Sequence, residues 1–422
     1  MPRLPPSLLR RAYRISPHLA TLLPACRDLA SARNELRWIL FHSEASSPAG
    51  ARGVKEVGLE ARIAHLCEQR GRRGIPLQYV LGSQPFGPLD IECRPGILIP
   101  RPETEAWVYG VADLIAGSPS LFSSSSSSSK ATATPLRIVD FCTGTGCVAL
   151  LLSSLLQKRQ QHHGRLARSR IVHGFDVDER AVALARQNLA ANVRRGCLPP
   201  QKQPSLFPSS SSPTSPEGPD HRHDDHSAIF FEKGNVFSED WHKFLRRAGG
   251  RRDGASSDPI ERKERAEEEE RIDVLVANPP YISTHGFDHD TGRSVRNHEP
   301  KLALVPDPTL LKDDGSGSPR PKDEDVFYAR LLQIAEQMRP EVIVFEVGDL
   351  AQAVRVVGMA LSGMQKRGEW NSGVEIWRDW PDEVPGEDEA QAVEVSGINV
   401  PIKGSGNGRV VVLRRNVDGT KN

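Results

Sequence analysis

The chain has 422 residues, with 55 Lys and Arg against 54 Asp and Glu, so its net charge is +1. This balance excludes strong global attraction to nucleic acid or to an anionic membrane. The hydrophobic fraction of 38% is enough for a sizeable core, and the length predicts two or three domains. Six scattered cysteines without a Cys-x-x-Cys pair predict a reducing compartment and no metal site.

The N-terminal segment is basic. Residues 1–27 contain five arginines and no carboxylate, and apolar side chains from Leu4 to Ile15 can share one helical face. An Arg-rich, acid-free amphipathic start is typical of a mitochondrial transit peptide. We therefore predict a transit peptide over residues 1–27 and a location in the mitochondrial matrix. The alternative is a cytoplasmic protein in which this segment is the basic first helix of a helical domain.

Two small regions are predicted to follow. Residues 28–45 and 55–70 show apolar side chains at helical spacing, which predicts a helical domain over residues 28–78. Residues 79–100 contain short apolar runs on either side of a Gly-Pro turn. That pattern predicts a β-hairpin connector, with its first strand beginning at Tyr79.

Residues 101–422 are predicted to form an α/β domain. Short apolar runs alternate with helical stretches, which predicts parallel βαβ units in a seven-stranded, doubly wound sheet. The strand runs are 136–141, 171–175, 229–231, 272–277 and 342–347, and the helical stretches include 147–158, 179–193, 326–338 and 350–361. Two late runs, 374–377 and 410–413, have no helical pattern between them and predict an antiparallel pair at the sheet's edge.

Five segments have the composition of inserts. They are rich in Ser, Pro, Gly or charged residues and lie near 118–134, 196–227, 246–271, 312–324 and 382–408. Such segments cannot bury enough apolar surface to offset the entropy of ordering. We predict disordered surface loops at all five places.

A glycine loop follows the first predicted strand. Gly144 and Gly146 would let a ligand approach the backbone, and the next strand ends in Asp176, which can accept the hydroxyls of a ribose. A nucleoside-containing cofactor is therefore predicted. A dinucleotide is one reading, since Ala149 is allowed at the third glycine position. Asp140 before the loop would oppose a phosphate and suits the charged amino acid end of S-adenosylmethionine.

A second motif follows the fourth run, where a buried strand leads into Asn278-Pro279-Pro280-Tyr281. The prolines make the backbone rigid, because they lock φ and lack an N–H. The Asn278 side-chain carbonyl and the Pro279 carbonyl can accept both hydrogens of a planar NH₂ group, and Tyr281 offers an aromatic face for stacking. We predict a site that positions a weakly nucleophilic amide or exocyclic nitrogen for transfer of a methyl group.

Together these motifs resemble those of the peptide-chain-release-factor glutamine N5-methyltransferases, the HemK/PrmC family. Three further segments support the resemblance: Pro76–Gly82 followed by Phe86-Gly87, Leu98–Glu105, and His298–Leu304. The resemblance implies a Rossmann-like methyltransferase domain and a helical domain that docks the substrate. It also implies S-adenosylmethionine as cofactor, and as partner a class I release factor methylated on the glutamine of its Gly-Gly-Gln motif. We expect a monomer without direct nucleic-acid or membrane binding.

The same resemblance assigns roles to residues of this sequence. The implied cofactor contacts are Asp140, Cys142, Thr143, Gly144, Thr145, Gly146, Asp176, Val236 and Asn278. The implied catalytic and glutamine-binding residues are Asn278, Pro279, Pro280 and Tyr281. Arg101 and Glu103 are expected near the substrate site or, alternatively, as a structural ion pair. Cys142 replaces the glycine that is common at its position in the family.

Two other functions remain open from the sequence alone. A methyltransferase acting on an exocyclic base nitrogen would use the same NH₂ chemistry, but it should carry a basic surface or a nucleic-acid module. A catalytically inert binding module for a release factor or the ribosome would have no need of Asp140, Gly144, Gly146, Asp176 and Asn278 together.

Overall fold

A computed structural model describes residues 3–45, 54–118, 135–163, 169–201, 227–248, 270–310, 320–364 and 373–415. The chain divides into two compact units. Unit 1 comprises Met1–Gln84, Ile91–Ile99 and His285–Lys301, and unit 2 comprises Pro85–Asp90, Pro100–Thr284 and Leu302–Asn422. The segment after the Asn-Pro-Pro-Tyr motif therefore belongs to the helical unit, whereas the sequence analysis placed it in the α/β domain.

The described helices and strands are as follows. The helices are α1 (Pro6–Ile15), α2 (Pro17–Cys26), α3 (Leu29–Ala45), α4 (Val54–Gly71), α5 (Leu77–Leu81), α6 (Pro102–Ala116), α7 (Cys147–His163), α8 (Glu179–Arg194), α9 (His242–Ala248), α10 (Thr284–His289), α11 (Arg293–His298), α12 (Val326–Met338) and α13 (Leu350–Met364). The strands are β1 (Ser83–Phe86), β2 (Leu89–Glu92), β3 (Leu136–Phe141), β4 (Arg170–Asp176), β5 (Ala228–Lys233), β6 (Val274–Ala277), β7 (Val342–Glu346), β8 (Val374–Trp380), β9 (Ala392–Val395), β10 (Ile398–Lys403) and β11 (Ser405–Arg414).

Unit 1 is built on the packing of α1 to α4. Helix α2 begins at Pro17, a favourable first helical position, after Ser16 has accepted a hydrogen bond from the His18 N–H. Its leucines Leu19, Leu22 and Leu23 are 0–2% exposed and form part of the hydrophobic core with α3 and α4. At about 1.5–3 kcal/mol for each fully buried leucine side chain, α2 is an important part of this core.

The N-terminal boundary predicted at residue 27 requires a correction. Ala12 of α1 and three leucines of α2 are buried in the same core as Ile39 of α3. Residues 6–26 are therefore part of the folded helical unit and not a segment that precedes it. The arginines that suggested a transit peptide, such as Arg10, Arg11 and Arg14, lie on the exposed side of α1, because only its opposite side packs inward.

The hairpin connector also differs in part from its prediction. Strands β1 and β2 form a separate two-stranded sheet, as expected for the region. Residues 79–81, predicted as strand, instead lie in helix α5, which ends at Gly82 with a φ of 84°. A short apolar run does not distinguish a strand from one helical turn. Here the run forms a helical turn, which the left-handed Gly82 terminates.

Unit 2 contains a nine-stranded sheet in the order β5-β4-β3-β6-β7-β11-β8-β10-β9. Strands β3 to β7 are mutually parallel, and β11 runs antiparallel to both β7 and β8. The predicted doubly wound α/β class is confirmed. The late strands β8 and β11 are antiparallel as predicted, but they do not lie at the sheet's edge, because β10 and β9 continue the sheet beyond β8. Every residue of β3, β6 and β7 is buried, as expected for central strands of a parallel sheet.

The prediction of a disordered insert over 382–408 was wrong. This segment holds β9 and β10, which extend the sheet beyond the seven predicted strands. In β10, Val400 and Ile402 are buried in the core and alternate with exposed neighbours. These two side chains give the strand its buried face. For the other four inserts, residues 119–134, 202–226, 249–269 and 311–319 lie outside the described residues.

Candidate active site

The site lies where the strand order reverses. Strand β3 pairs with β4 on one side and with β6 on the other, and Phe141 is in register with both Phe175 and Ala277. The loops that follow these three strands therefore leave the sheet at the same level. This is the switch point of a doubly wound sheet, where the carboxyl ends of the strands form a crevice for ligands.

The loop between β3 and α7 is a tight turn with left-handed residues. Gly144 and Gly146 have φ values of 55° and 80°. A Cβ on Gly146 would lie 2.8 Å from the Phe231 ring, whereas a Cβ on Gly144 would meet nothing within 4 Å. Gly146 therefore allows close packing inside unit 2, and Gly144 leaves open space beside the backbone where a ligand can approach.

Cys142 adopts the same left-handed region, with a φ of 61°. A residue with a Cβ is strained there by about 1–2 kcal/mol. This conformation gives a physical reason for the glycine that is common at this position in the resembled family. Burial raises the pKa of the Cys142 thiol well above its usual value, so the thiol is neutral near pH 7.

Asp140 is buried beneath the loop and has one unused oxygen. The Thr143 hydroxyl donates to its Oδ2 at 2.6 Å, while Oδ1 has no hydrogen-bond partner among the described residues. Burial raises the pKa of this carboxyl group to about 7. A buried carboxylate oxygen without a partner is costly and fits a cationic group of a bound ligand.

Asp176 joins the loop after β3 to the loop after β4. Its Oδ2 accepts the Gly144 N–H and its Oδ1 accepts the Asp178 N–H, both at 2.9 Å. Burial raises its pKa. Each oxygen keeps a further lone pair, so the group can still accept from hydroxyls of a ligand. The Asp176 carbonyl accepts the Gly234 N–H, which begins the turn leading to Val236, a buried core residue.

The other predicted loop residues hold the turn together. The Thr143 N–H donates to the Phe175 carbonyl at 3.0 Å, and the Gly146 N–H donates to the Thr143 carbonyl at 2.8 Å. The Thr145 carbonyl accepts from the buried Asn188 side chain of α8 at 3.0 Å. These bonds connect the loop to β4 and α8, so its backbone conformation is determined before any ligand binds.

The Asn-Pro-Pro-Tyr segment leaves the sheet directly after β6. Pro279 and Pro280 are buried, and Asn278 is half-buried. The Asn278 Nδ2 donates to the Thr104 hydroxyl at 3.4 Å. The Tyr281 hydroxyl donates to Glu346 Oε1 at 3.1 Å. All four residues are predicted site residues from the sequence, and the structure brings them to the switch point.

Glu346 is the main residue that sequence reasoning missed. It ends β7, is 1% exposed, and its Oε2 accepts from the Thr104 hydroxyl at 2.6 Å and from Trp107 Nε1 at 2.7 Å. Burial raises the pKa of Glu346, an effect that the converging donors oppose. The sequence did contain a signal for this residue, because Glu346 is a carboxylate within the otherwise apolar run 342–347.

Arg101 and Glu103 lie at the start of α6, close in sequence to Thr104 and Trp107, which contact Glu346. Arg101 is the residue that precedes the helix, and Glu103 lies in its first turn, where a negative charge is favourable. Burial raises the pKa of Tyr281, and the positive charge of Arg101 opposes this rise only weakly. A role for Arg101 and Glu103 at the site stays a prediction, and the contacts from this part of the chain to Glu346 come from Thr104 and Trp107.

Two negative findings apply to the part of the chain that the structure describes. No group of three or more His, Cys, Asp or Glu residues there could hold a metal ion. No helix there is long and apolar enough to cross a membrane.

A glycine loop and an Asn-Pro-Pro-Tyr turn in one crevice of a doubly wound sheet define a Rossmann-like methyltransferase domain. No family model matches the chain. The sequence is 34% identical over 306 residues to the mitochondrial MRF1 N(5)-glutamine methyltransferase MTQ1 of Saccharomyces cerevisiae, covering 72% of this chain and 68% of that protein. The chain belongs to the family of N(5)-glutamine methyltransferases.

Further relatives agree with this assignment. The chain is 29% identical over 361 residues to a probable MRF1 mitochondrial N(5)-glutamine methyltransferase of Schizosaccharomyces pombe, covering 83% of this chain and 87% of the relative. It is 31% identical to a release factor glutamine methyltransferase of Mycobacterium tuberculosis over 40% of this chain and 52% of that protein. The predicted family is confirmed, and the protein is an enzyme of the methyltransferase class.

Solved structures resemble the chain only weakly. A METTL16 methyltransferase domain matches at a TM-score of 0.35 and 13% identity, over 80% of this chain and 94% of that domain. TrmN from Thermus thermophilus matches at a TM-score of 0.26 and 18% identity, over 74% and 53%. The strand order and register of the sheet define the fold.

Proposed function

We propose that this protein transfers a methyl group from S-adenosylmethionine to the side-chain amide nitrogen of a glutamine in a class I release factor. The glutamine is that of the Gly-Gly-Gln motif. The observation that carries the proposal is the position of Asn278: it directly follows Ala277 of β6, which is in register with Phe141 at the end of the glycine-loop strand β3. An amide held at Asn278 would thus lie beside the cofactor crevice.

The glycine-loop half of the crevice suits the cofactor. Among the described residues, Asp140 Oδ1 has no hydrogen-bond partner and is suited to the ammonium group of the cofactor's amino acid end, and Asp176 is suited to the ribose hydroxyls. The open space beside Gly144 allows close approach to the backbone. When bound, S-adenosylmethionine supplies an electrophilic methyl group on a positively charged sulfur.

The Asn-Pro-Pro-Tyr half suits the glutamine amide. The Asn278 Oδ1 and the Pro279 carbonyl are the proposed acceptors for its two N–H groups, and the Tyr281 ring is the proposed stacking surface. Because an amide nitrogen is a poor nucleophile, the enzyme's contribution is to orient it and to stabilise positive charge that develops on it. As the bond between this nitrogen and the methyl carbon formed, the carbon–sulfur bond would break and its electron pair would stay on the sulfur of the departing, now neutral, thioether. The extra proton on the nitrogen would be released to solvent water, so no dedicated strong base is required.

The relatives support the choice of a protein substrate and its compartment. Two fungal relatives carry mitochondrial MRF1 in their names, and a bacterial relative is a release factor glutamine methyltransferase. We propose that this enzyme acts on the mitochondrial release factor, in the matrix. The arginines exposed on α1 are compatible with import, although the helix is also part of the folded unit.

Methyl transfer from labelled cofactor tests the proposal. The purified enzyme is incubated with a mitochondrial class I release factor, with the same factor carrying alanine in place of the motif glutamine, and with total mitochondrial RNA. We expect label only on the first substrate, mapped by mass spectrometry to the motif glutamine. Label on the alanine variant or on RNA would contradict the proposed substrate, and no cofactor binding by calorimetry would contradict the enzyme's proposed cofactor.

A further inference from the structure

A chain of hydrogen bonds links Asn278 to a buried carboxylate. The Asn278 Nδ2 donates to Thr104 Oγ1 at 3.4 Å, and that hydroxyl donates to Glu346 Oε2 at 2.6 Å. Trp107 Nε1 donates to the same oxygen at 2.7 Å. Thr104, Trp107 and Glu346 are at most 1% exposed, so water does not compete for these bonds.

The direction of the chain follows from counting protons. Trp107 can only donate, and the donors that converge on Glu346 are the arrangement expected around an ionised acceptor. A threonine hydroxyl has one hydrogen, and the short bond to Glu346 uses it. The Thr104 oxygen can then only accept a hydrogen from Asn278. The Asn278 amide must therefore present Nδ2 to Thr104, which directs Oδ1 to the opposite side.

The same carboxylate also holds the aromatic side of the site. Tyr281 donates its hydroxyl to Glu346 Oε1, and the Tyr281 carbonyl accepts from the buried Gln352 side chain at 3.2 Å. The hydroxyl of Tyr328 donates to the Glu346 carbonyl at 2.7 Å and fixes the backbone of the residue. Glu346 is thus a common anchor for Asn278 and Tyr281.

We infer that Thr104 and Glu346 are positioning residues that set the orientation of the Asn278 amide, so that its oxygen faces the substrate and its nitrogen does not. The inference rests on the proposed function. An amide turned by 180° would present Nδ2 to the substrate NH₂, so that two donors would face each other and one of the two acceptors would be lost. The hydroxyl and the carboxylate thus act through Asn278 and do not contact the reacting atoms.

Threonine 104 offers the sharpest test. Thr104→Val keeps the side-chain shape and removes the hydroxyl, whereas Thr104→Ser keeps the hydroxyl. We expect Thr104→Val to lower kcat by about 10-fold to 100-fold, the size of effect that misplaced reacting groups produce. Cofactor affinity should stay within about twofold. Thr104→Ser should restore kcat to within about threefold of the wild type, since it restores the bond that orients the amide.

A control separates positioning from simple loss of a buried hydroxyl. Ser154 of α7 is 1% exposed and donates to the Cys197 carbonyl at 3.1 Å. Ser154→Ala should lower the melting temperature by an amount similar to Thr104→Val while kcat is unchanged. If Thr104→Val kept wild-type kcat, or lost kcat and cofactor affinity in parallel without rescue by serine, the positioning role would be refuted.

A double variant tests whether Thr104 acts on turnover through Asn278. In an Asn278→Ala background, Thr104→Val should change the residual kcat by less than about threefold, because the amide that it orients is gone. A full additional loss in this background would show that Thr104 acts independently of Asn278 and would overturn the inference.

A measurement without turnover keeps the test separate from the proposed function. In ¹⁵N-labelled protein, the Asn278 side-chain NH₂ signals are assigned by their disappearance in Asn278→Asp. We expect slow hydrogen exchange for this group in the wild type and in Thr104→Ser, and fast exchange in Thr104→Val. Equal exchange in all three proteins would refute the orientation. If the wild type shows the slow exchange but no methyl transfer to a release factor, the proposed substrate is wrong and the orientation stands.

Discussion

The two halves of the crevice are constructed differently although they leave the same sheet edge. The half that we propose binds the cofactor is held by backbone groups: Asp176 accepts N–H groups of Gly144 and Asp178, and the Thr143 N–H donates to the Phe175 carbonyl of β4. The half that we propose binds the amide is held by side chains from distant segments. There Glu346 accepts hydrogen bonds from Thr104, Trp107 and Tyr281.

This difference predicts which substitutions should affect each half. Backbone hydrogen bonds survive most side-chain substitutions, so the cofactor half should respond mainly through its carboxylates and its left-handed residues. A side-chain network loses its geometry when one member is removed, because the remaining buried donors and acceptors are left unsatisfied. Substitutions in the amide half should therefore change turnover, and those in the cofactor half should change affinity or stability.

The largest expected effect is in the amide half. Asn278→Ala should lower kcat by about 10²-fold to 10³-fold, equivalent to about 3–4 kcal/mol, because one of two preorganised acceptors is lost. Cofactor affinity should change little, and the exposed Asn399→Ala of β10 serves as the control. The measurement is single-turnover methyl transfer. A variant that kept near wild-type turnover would remove the distinction between the halves.

The corresponding change in the cofactor half is Asp176→Ala. We expect cofactor binding to weaken by about 1.5–3 kcal/mol, the usual contribution of hydrogen bonds to a charged group. Titration calorimetry measures the effect directly, and Glu179→Ala removes a neighbouring exposed carboxylate as control. Wild-type affinity in the Asp176 variant would show that the ribose binds elsewhere in the crevice.

The pH dependence of cofactor binding should follow Asp140. Its folded pKa is raised to about 7, so the folded apoprotein retains a proton there that the unfolded chain has lost. Any stability from this group is present at low pH and is lost as pH rises through about 7. The affinity for the cofactor has the opposite pH dependence, because the cofactor's ammonium group needs the ionised Asp140 carboxylate.

We therefore expect cofactor affinity to rise by roughly several-fold between pH 6 and pH 7.5, below the usual pKa of an α-amino group at about 7.7–8.0. Asp140→Asn, which cannot ionise, should flatten this dependence and bind more weakly at pH 7.5. An unchanged pH profile in the Asn variant would assign the titration to another group. Single-site calorimetry across this pH range provides the measurement.

The smallest effect concerns backbone strain at Cys142, where the φ of 61° disfavours any residue with a Cβ. Cys142→Gly and Cys142→Ala both remove the thiol, but only glycine removes the Cβ. We expect the glycine variant to exceed the alanine variant by about 1 kcal/mol in free energy of unfolding, as strain of this kind predicts. Denaturant titration of the two proteins would show it, and equal stabilities would mean that the turn has relaxed around alanine.

Much of unit 2 could be predicted from the sequence because its signals are local. The run 136–141 was predicted to be a strand and is β3 to the residue, and the helical stretch 326–338 is α12 to the residue. The glycine turn and the strand end at Asp176 were likewise predictable, because both lie within the 41 residues from Leu136 to Asp176, while their role in cofactor binding stays a prediction. Local backbone patterns carry this information without reference to distant contacts.

Local pattern failed where burial depended on distant partners. The arginines of α1 suggested a detachable leader, but Leu19, Leu22 and Leu23 of α2 pack on α3 and α4 and belong to the fold. Similarly, the charged segment 382–408 had the composition of a loop, yet β10 pairs with β8 and buries Val400 and Ile402. Composition measures how many apolar residues a segment has, whereas folding depends on where they meet a surface to cover.

The sequence by itself determined the α/β class, the family and the two motifs of the site, because strand and helix periodicity, glycine turns and Asn-Pro-Pro-Tyr are properties of contiguous residues. Only the tertiary structure decided that Thr104, Trp107 and Tyr281 converge on Glu346. Those contacts join residues as far as 242 positions apart. A buried carboxylate gains its partners only when separate elements pack around it, so no local pattern could have revealed them.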